Sequence, residues 1–147
     1  MAWPFTSRAP VYLQIVSRIR ADILSGVYRP DEQIPPVRQL ALTAGVNPNT
    51  MQRAFAVLEA EQLFITRGTV GRFITSDTAV LERARAVMRH ETVTRLIEEA
   101  AAVGITPEEL MEGIRAYQSA QASAANGDPT GDADGALAEE SATIRKE

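Results

Sequence analysis

The run IPPVRQLALTAGVNPNT, residues 34–50, constrains the fold more than any other part of the chain. Pro36 suits a first helical position, and Val37, Leu40 and Ala41 give one apolar face to a short helix that Gly45 breaks just after Ala44. Asn47-Pro48 then opens a new helix: asparagine offers its side-chain oxygen to unpaired amides of the first turn, and proline is pre-set for that position. Two helices separated only by Gly45, Val46 and Asn47 must turn sharply on each other. In the second, Met51, Ala54, Phe55, Leu58 and Leu63 form a stripe that faces a core, which leaves Asn49, Thr50, Gln52 and Arg53 outward near its start.

The flanking segments complete a small domain. Upstream, Tyr12, Val16, Ile19 and Ile23 recur at helical spacing, widened by Ile15 and Leu24, until Gly26 supplies a stop. The connector VYRPDEQIPP turns at Pro30-Asp31, and its Val27, Tyr28 and Ile34 allow only a very short strand. Downstream, LFIT and RFIT read as two strands of a hairpin around RGTVG, where Gly68 and Gly71 can take positive backbone angles. The expected fold is mainly α: a winged helix-turn-helix of three helices and a β-hairpin wing over residues 1–76.

A long helix follows from about Thr78 to Val103, capped by Ser76 or Asp77, with a broken apolar stripe of Leu81, Ala84, Val87, Met88, Leu96, Ile97 and Ala100. GITPEEL carries a glycine stop, a threonine cap, a first-turn proline and acids beside the positive helix end, opening a last helix through Leu110, Met111, Ile114 and Tyr117. Residues 77–118 thus read as a two-helix region whose apolar face needs a partner. It either pairs two protomers or folds back onto its own winged helix. Residues 119–147 are rich in alanine, glycine, serine and acids, and are expected to be a disordered acidic tail.

Composition narrows the function classes. With 147 residues, no cysteine and a single histidine, His90 in a polar RHET stretch, the chain has no thiolate chemistry and little material for a metal cluster or a catalytic triad. No cofactor or metal site is expected. No apolar run reaches the roughly 18 to 20 residues of a membrane span, and MAWPFTSRAP does not read as a secretory signal, so the expected location is the cytoplasm. The net charge of -4 hides an asymmetry: up to Ser76, eight arginines against five acids leave +3, while seven bases against fourteen acids leave -7 beyond it. Only the first part suits a phosphate backbone.

A major groove admits one α-helix, and side chains on the outer side of its first turns reach base edges. Here those are Asn49, Thr50, Gln52 and Arg53; asparagine and glutamine suit adenine, arginine suits guanine. Arg38, near the start of the preceding helix, is placed for a phosphate, and Thr69 and Arg72 of the wing for the backbone or the minor groove. Pattern alone leaves a second reading open, in which Asn49 and Thr50 serve only the helix start and the winged helix binds a partner protein that controls it. An enzyme is remote, because no paired carboxylates or basic cluster mark a pocket.

The elements PVYLQI, IPPVRQLA, GVNPNT and LEAEQL, spanning Pro10 to Ile74, together resemble the DNA-binding domain of the GntR family of bacterial regulators. With so short a helical second half, the chain resembles its YtrA-like branch in particular. The resemblance places the family's conserved box arginine on Arg38 and its recognition-helix start on Asn47, Asn49, Thr50 and Gln52, with Arg53 one step on. It implies that the short helical half pairs protomers and that the genes controlled are often for ABC transporters. The expected function is a homodimeric repressor on a palindromic operator, paired through the apolar residues Leu81, Ala84, Val87, Met88, Leu96, Ile97, Leu110 and Ile114 of the two helices. No residue set for a small-molecule effector is evident. Three positions depart from the family pattern: Asp31 and Gln62 stand where glycine is usual, and the wing RGTVGR carries fewer basic residues.

Overall fold

The computed structural model describes residues 2–127, so most of the expected acidic tail lies outside the described residues. Its elements run α1 (Val11–Leu24), α2 (Val37–Ala44), α3 (Pro48–Ala60), β1 (Phe64–Arg67), β2 (Gly71–Ile74), α4 (Thr78–Ala102) and α5 (Pro107–Asn126). This is the mainly helical, winged arrangement expected. The chain divides into two compact units, residues 1–96 and the part from Ile97 onward. Among the described residues no helix is long and apolar enough to cross a membrane.

In the first unit, the inward stripes of the three short helices meet the wing. Ile15 and Ile19 of α1 and Met51, Phe55 and Leu58 of α3 are fully buried with Leu63 and Ile74, while α2 contributes Leu40, Ala41 and Ala44. Phe55 meets Phe64 edge to face at 5.0 Å, which joins α3 to the wing's first strand. Gly45 ends α2 in the left-handed conformation, φ 72° and ψ 37°, and the amide of Val46 donates to the Ala41 carbonyl at 3.0 Å. A Cβ on Gly45 would also lie 2.7 Å from that of Ala2, so glycine is required twice over.

Two details differ from the periodicity reading. Leu63 does not extend α3, which stops at Ala60; Gln62 takes φ 64° and swings Leu63 into the core after the helix. The connector forms no strand of its own, yet residues 31–34 lie along β2. The amide of Ile34 donates to Arg72, that of Ile74 to Glu32 and that of Asp31 to Ile74, with a single bridge from Gln33 to Phe73. The wing itself pairs Phe64 with Ile74 through Arg67 with Gly71.

Residues before α1 pack as well, which periodicity did not foresee. The amide of Trp3 donates to the Ala44 carbonyl at 3.1 Å, and the Gln14 side chain binds the backbone of Thr6 and Ala9. The guanidinium of Arg18 lies 4.3 Å over the Trp3 ring.

The Asp77 carboxylate caps α4, accepting from the amide of Ala79 at 2.9 Å. Val80 is buried against the winged-helix core, Leu81 and Ala84 pack on it, and Arg85 donates to the Leu24 carbonyl at the end of α1. In the second unit Ala100 is buried beside the turn at Gly104, φ 79°, and Thr106 with Glu109 forms a reciprocal capping box at the start of α5. Helix α5 continues past Ser119 to Asn126, because AQASAAN is rich in alanine, the strongest helix former.

Candidate nucleic-acid interface

Helix α3 is positioned by its own cap. The Oδ1 of Asn47 accepts from the amide of Asn49 at 2.8 Å, Pro48 occupies the first helical position, and Asn47 itself is extended. With Met51, Ala54, Phe55 and Leu58 buried, helical geometry turns Asn49, Gln52 and Arg53 outward, and all three are exposed, with Thr50 half-buried between them. Asn47 therefore spends its carbonyl on the helix start and keeps its amide for any further contact.

Two surface grooves hold most of the candidate residues. One is lined by Pro10, Val11 and Tyr12 of α1 together with Asn49, Thr50 and Arg53. The other, about 390 Å³, lies between the start of α2 and the wing, and brings Arg38, Thr69 and Arg72 together although they are far apart in sequence. The fold thus brings Arg38, Thr69 and Arg72 to one groove and Asn49, Thr50 and Arg53 to another.

Their electrostatic states differ. Among the described residues, Arg38 and Arg53 have neither a hydrogen-bond acceptor nor a carboxylate partner, although the Arg53 guanidinium lies 3.8 Å over the Tyr12 ring. The wing cations are engaged. Nε of Arg72 pairs with Glu59 of α3 while its guanidinium lies over Phe55, and Arg67 binds Asp31 at 2.8 Å and covers Phe73. Gln33, which sequence reasoning missed, donates to the Val70 carbonyl at 2.9 Å and ties the wing tip to the strand-like connector. Glu59 and Tyr12 were missed likewise: helical spacing marks which face they occupy, but not the side chain each one meets.

The residues expected to pair protomers are split. Leu81 and Ala84 serve the chain's own winged-helix core, and Met88 lines a groove with Leu24. Val87, Leu96, Ile97 and Ile114 are exposed, and Leu110 is half-buried.

The model of the bacterial regulatory proteins of the gntR family matches residues 11–74, the span from α1 through the wing. The uncharacterized HTH-type transcriptional regulator YhcF of Bacillus subtilis is 30% identical over 113 residues, covering 77% of this chain and 93% of that protein. The chain belongs to the GntR family. The HTH-type transcriptional repressor YtrA of Bacillus subtilis is 32% identical over 110 residues, 74% of this chain and 85% of its own, which makes this a YtrA-like member. A GntR family transcriptional regulator from Listeria monocytogenes superposes with a TM-score of 0.67 at 31% identity, over 76% of this chain and 97% of that one. Membership in the GntR family makes the chain a DNA-binding transcriptional regulator rather than an enzyme.

Proposed function

We propose that this GntR-family regulator acts in the bacterial cytosol as a homodimeric repressor. Each protomer lays the start of α3 in a major groove, and the two α3 helices of the dimer enter grooves about one helical turn apart on a palindromic operator. The observation that carries the reading is the outward row Asn49, Gln52 and Arg53 on a helix whose opposite side is the buried core of a rigid winged helix. Asn49, Thr50, Gln52 and Arg53 read base edges. Arg38 and Thr69 hold the sugar-phosphate backbone, and Arg72 joins them by exchanging Glu59 for a phosphate.

The exposed apolar side chains Val87, Leu96, Ile97 and Ile114, with Leu110, pair the protomers; burying such surface is what association gains most from. The winged helix at residues 1–76 and the dimerising helices at 77–118 are then separate functional regions. Repression is the action named for YtrA, and the resemblance to its branch makes transporter genes the first targets to examine.

Light scattering on the full chain, alone and on a selected duplex, tests the assembly, and footprinting tests the geometry. A dimer mass with two protected patches about one helical turn apart supports the proposal. A monomer on a single patch overturns it.

A further inference from the structure

Arg53 differs from the other arginines of the α3 and wing face in how it is held. Arg72 and Arg67 spend donors on Glu59 and Asp31, whereas Arg53 rests its flat face 3.8 Å above the Tyr12 ring, with no acceptor among the described residues. Stacking and hydrogen bonding use different parts of a guanidinium: the ring takes the π face, and the five N–H groups lie in the plane and stay available. Tyr12 is half-buried at the start of α1, on a helix whose next turns are locked in the core by Ile15, Val16 and Ile19, so the ring is a fixed platform. The same groove holds Asn49 and Thr50, which places the stacked fork beside the other outward polar groups of α3.

We infer that Tyr12 is a specificity-determining positioning residue: its ring fixes where the Arg53 fork stands, so that Arg53 reads one guanine instead of collapsing onto the nearest phosphate. The inference rests on the proposed role of α3 as the base-reading helix. A free arginine side chain has several rotatable bonds and satisfies any anion within reach, which adds affinity for all DNA and no preference. A fork pre-set in one plane presents its paired donors to guanine O6 and N7 at a single register.

The test is a double-mutant cycle on the full chain, using a duplex enriched from a random pool by the wild-type protein and a random-sequence duplex as competitor. The readout is the ratio of the two affinities, with thermal melts confirming that each variant folds. Tyr12→Phe keeps the platform and should keep the ratio. Tyr12→Leu keeps only the apolar bulk and should lower the ratio by about two- to five-fold, the worth of an exposed cation–π contact, with binding to random DNA and its salt slope unchanged. In an Arg53→Ala background Tyr12→Leu should then have no further effect. If Tyr12→Leu does not fold, Tyr12→Met, which likewise removes the aromatic face, should lower the ratio in the same way and only while Arg53 is present.

Three results overturn the inference. Equal loss in Tyr12→Phe and Tyr12→Leu would mean that the hydroxyl acts directly. An undiminished effect of Tyr12→Leu without Arg53 would mean that the pair is not coupled. An Arg53→Ala variant with unaltered base preference would remove Arg53 as a base reader, and the same result with Gln52→Ala as well would remove the role of α3 itself, failures separable from the first two.

Discussion

Arg72 of β2 and Glu59 of α3 form an ion pair that ties the wing to the last turn of the helix before it, with Thr66 donating to the same carboxylate oxygen at 3.4 Å. Both side chains keep roughly a third of their surface open, 28% and 33%. The pair joins the wing to α3 and, in the proposed function, withholds the Arg72 cation from an incoming phosphate. Glu59→Gln should therefore raise affinity for every DNA sequence and steepen the dependence of log K on log salt by about one, as one further cation becomes available. A salt titration against random duplex checks it. The stability cost should stay within about 1 kcal/mol, as for other partly exposed pairs.

Among the described residues, Gln62 and Asp31 are the non-glycine residues with positive φ, both at 64°, and they stand where the family pattern usually has glycine. A left-handed backbone costs an ordinary L-residue roughly 1–2 kcal/mol, whereas glycine enters it freely. Gln62→Gly should raise the melting temperature, as its side chain is exposed and holds nothing among the described residues. Asp31→Gly should gain less, because it also breaks the 2.8 Å contact to Arg67, and the two variants compared in one thermal melt series separate strain from charge pairing.

The Asn47 cap separates folding from binding. Asn47→Ala removes the acceptor for the Asn49 amide and should cost about 1 kcal/mol of stability. Asn47→Asp keeps that acceptor and adds a negative charge at the positive end of α3, so stability should hold while DNA affinity falls through repulsion of the backbone. Denaturant unfolding and duplex titration on the same two variants check the opposite orders.

Burial raises the carboxyl of Asp22 above its usual value of 3.8, and the nearby Arg18 only partly offsets this. A carboxyl raised in the folded state favours folding fully below its unfolded value and loses that contribution as pH climbs through the folded one. At neutral pH the ionised Asp22 therefore works against the fold. Asp22→Asn should be more stable than the parent at pH 7, with the advantage fading as the pH falls through the raised carboxyl value and gone once it is below 3.8, readable from melts across that range.

The helix boundaries were legible because residues with a backbone or capping role mark them: Gly45 at φ 72°, the Asn47-Pro48 start, Asp77 on α4 and the Thr106 box on α5. The outward row on α3 followed from the same spacing that buries Met51 and Phe55. What spacing does not encode is the identity of a distant neighbour. Arg72 looked available until the fold brought Glu59 to it, Arg53 gave no sign of Tyr12, and Leu81 and Ala84 read as an open face although α4 begins by packing on its own domain. Trp3 reaching the end of α2 is a contact of the same kind, set by tertiary packing alone.

The proposed repressor function requires above all that α3 reads DNA sequence as one half of a symmetric pair. Selection of bound duplexes from a random pool, with the wild-type full chain and with Gln52→Ala side by side, measures this directly. The wild type should enrich a site with two-fold symmetry, and the variant should enrich the same architecture with an altered base at one position in each half-site. Recovery of unenriched random sequence by the wild type, or of an identical site by both proteins, would contradict it.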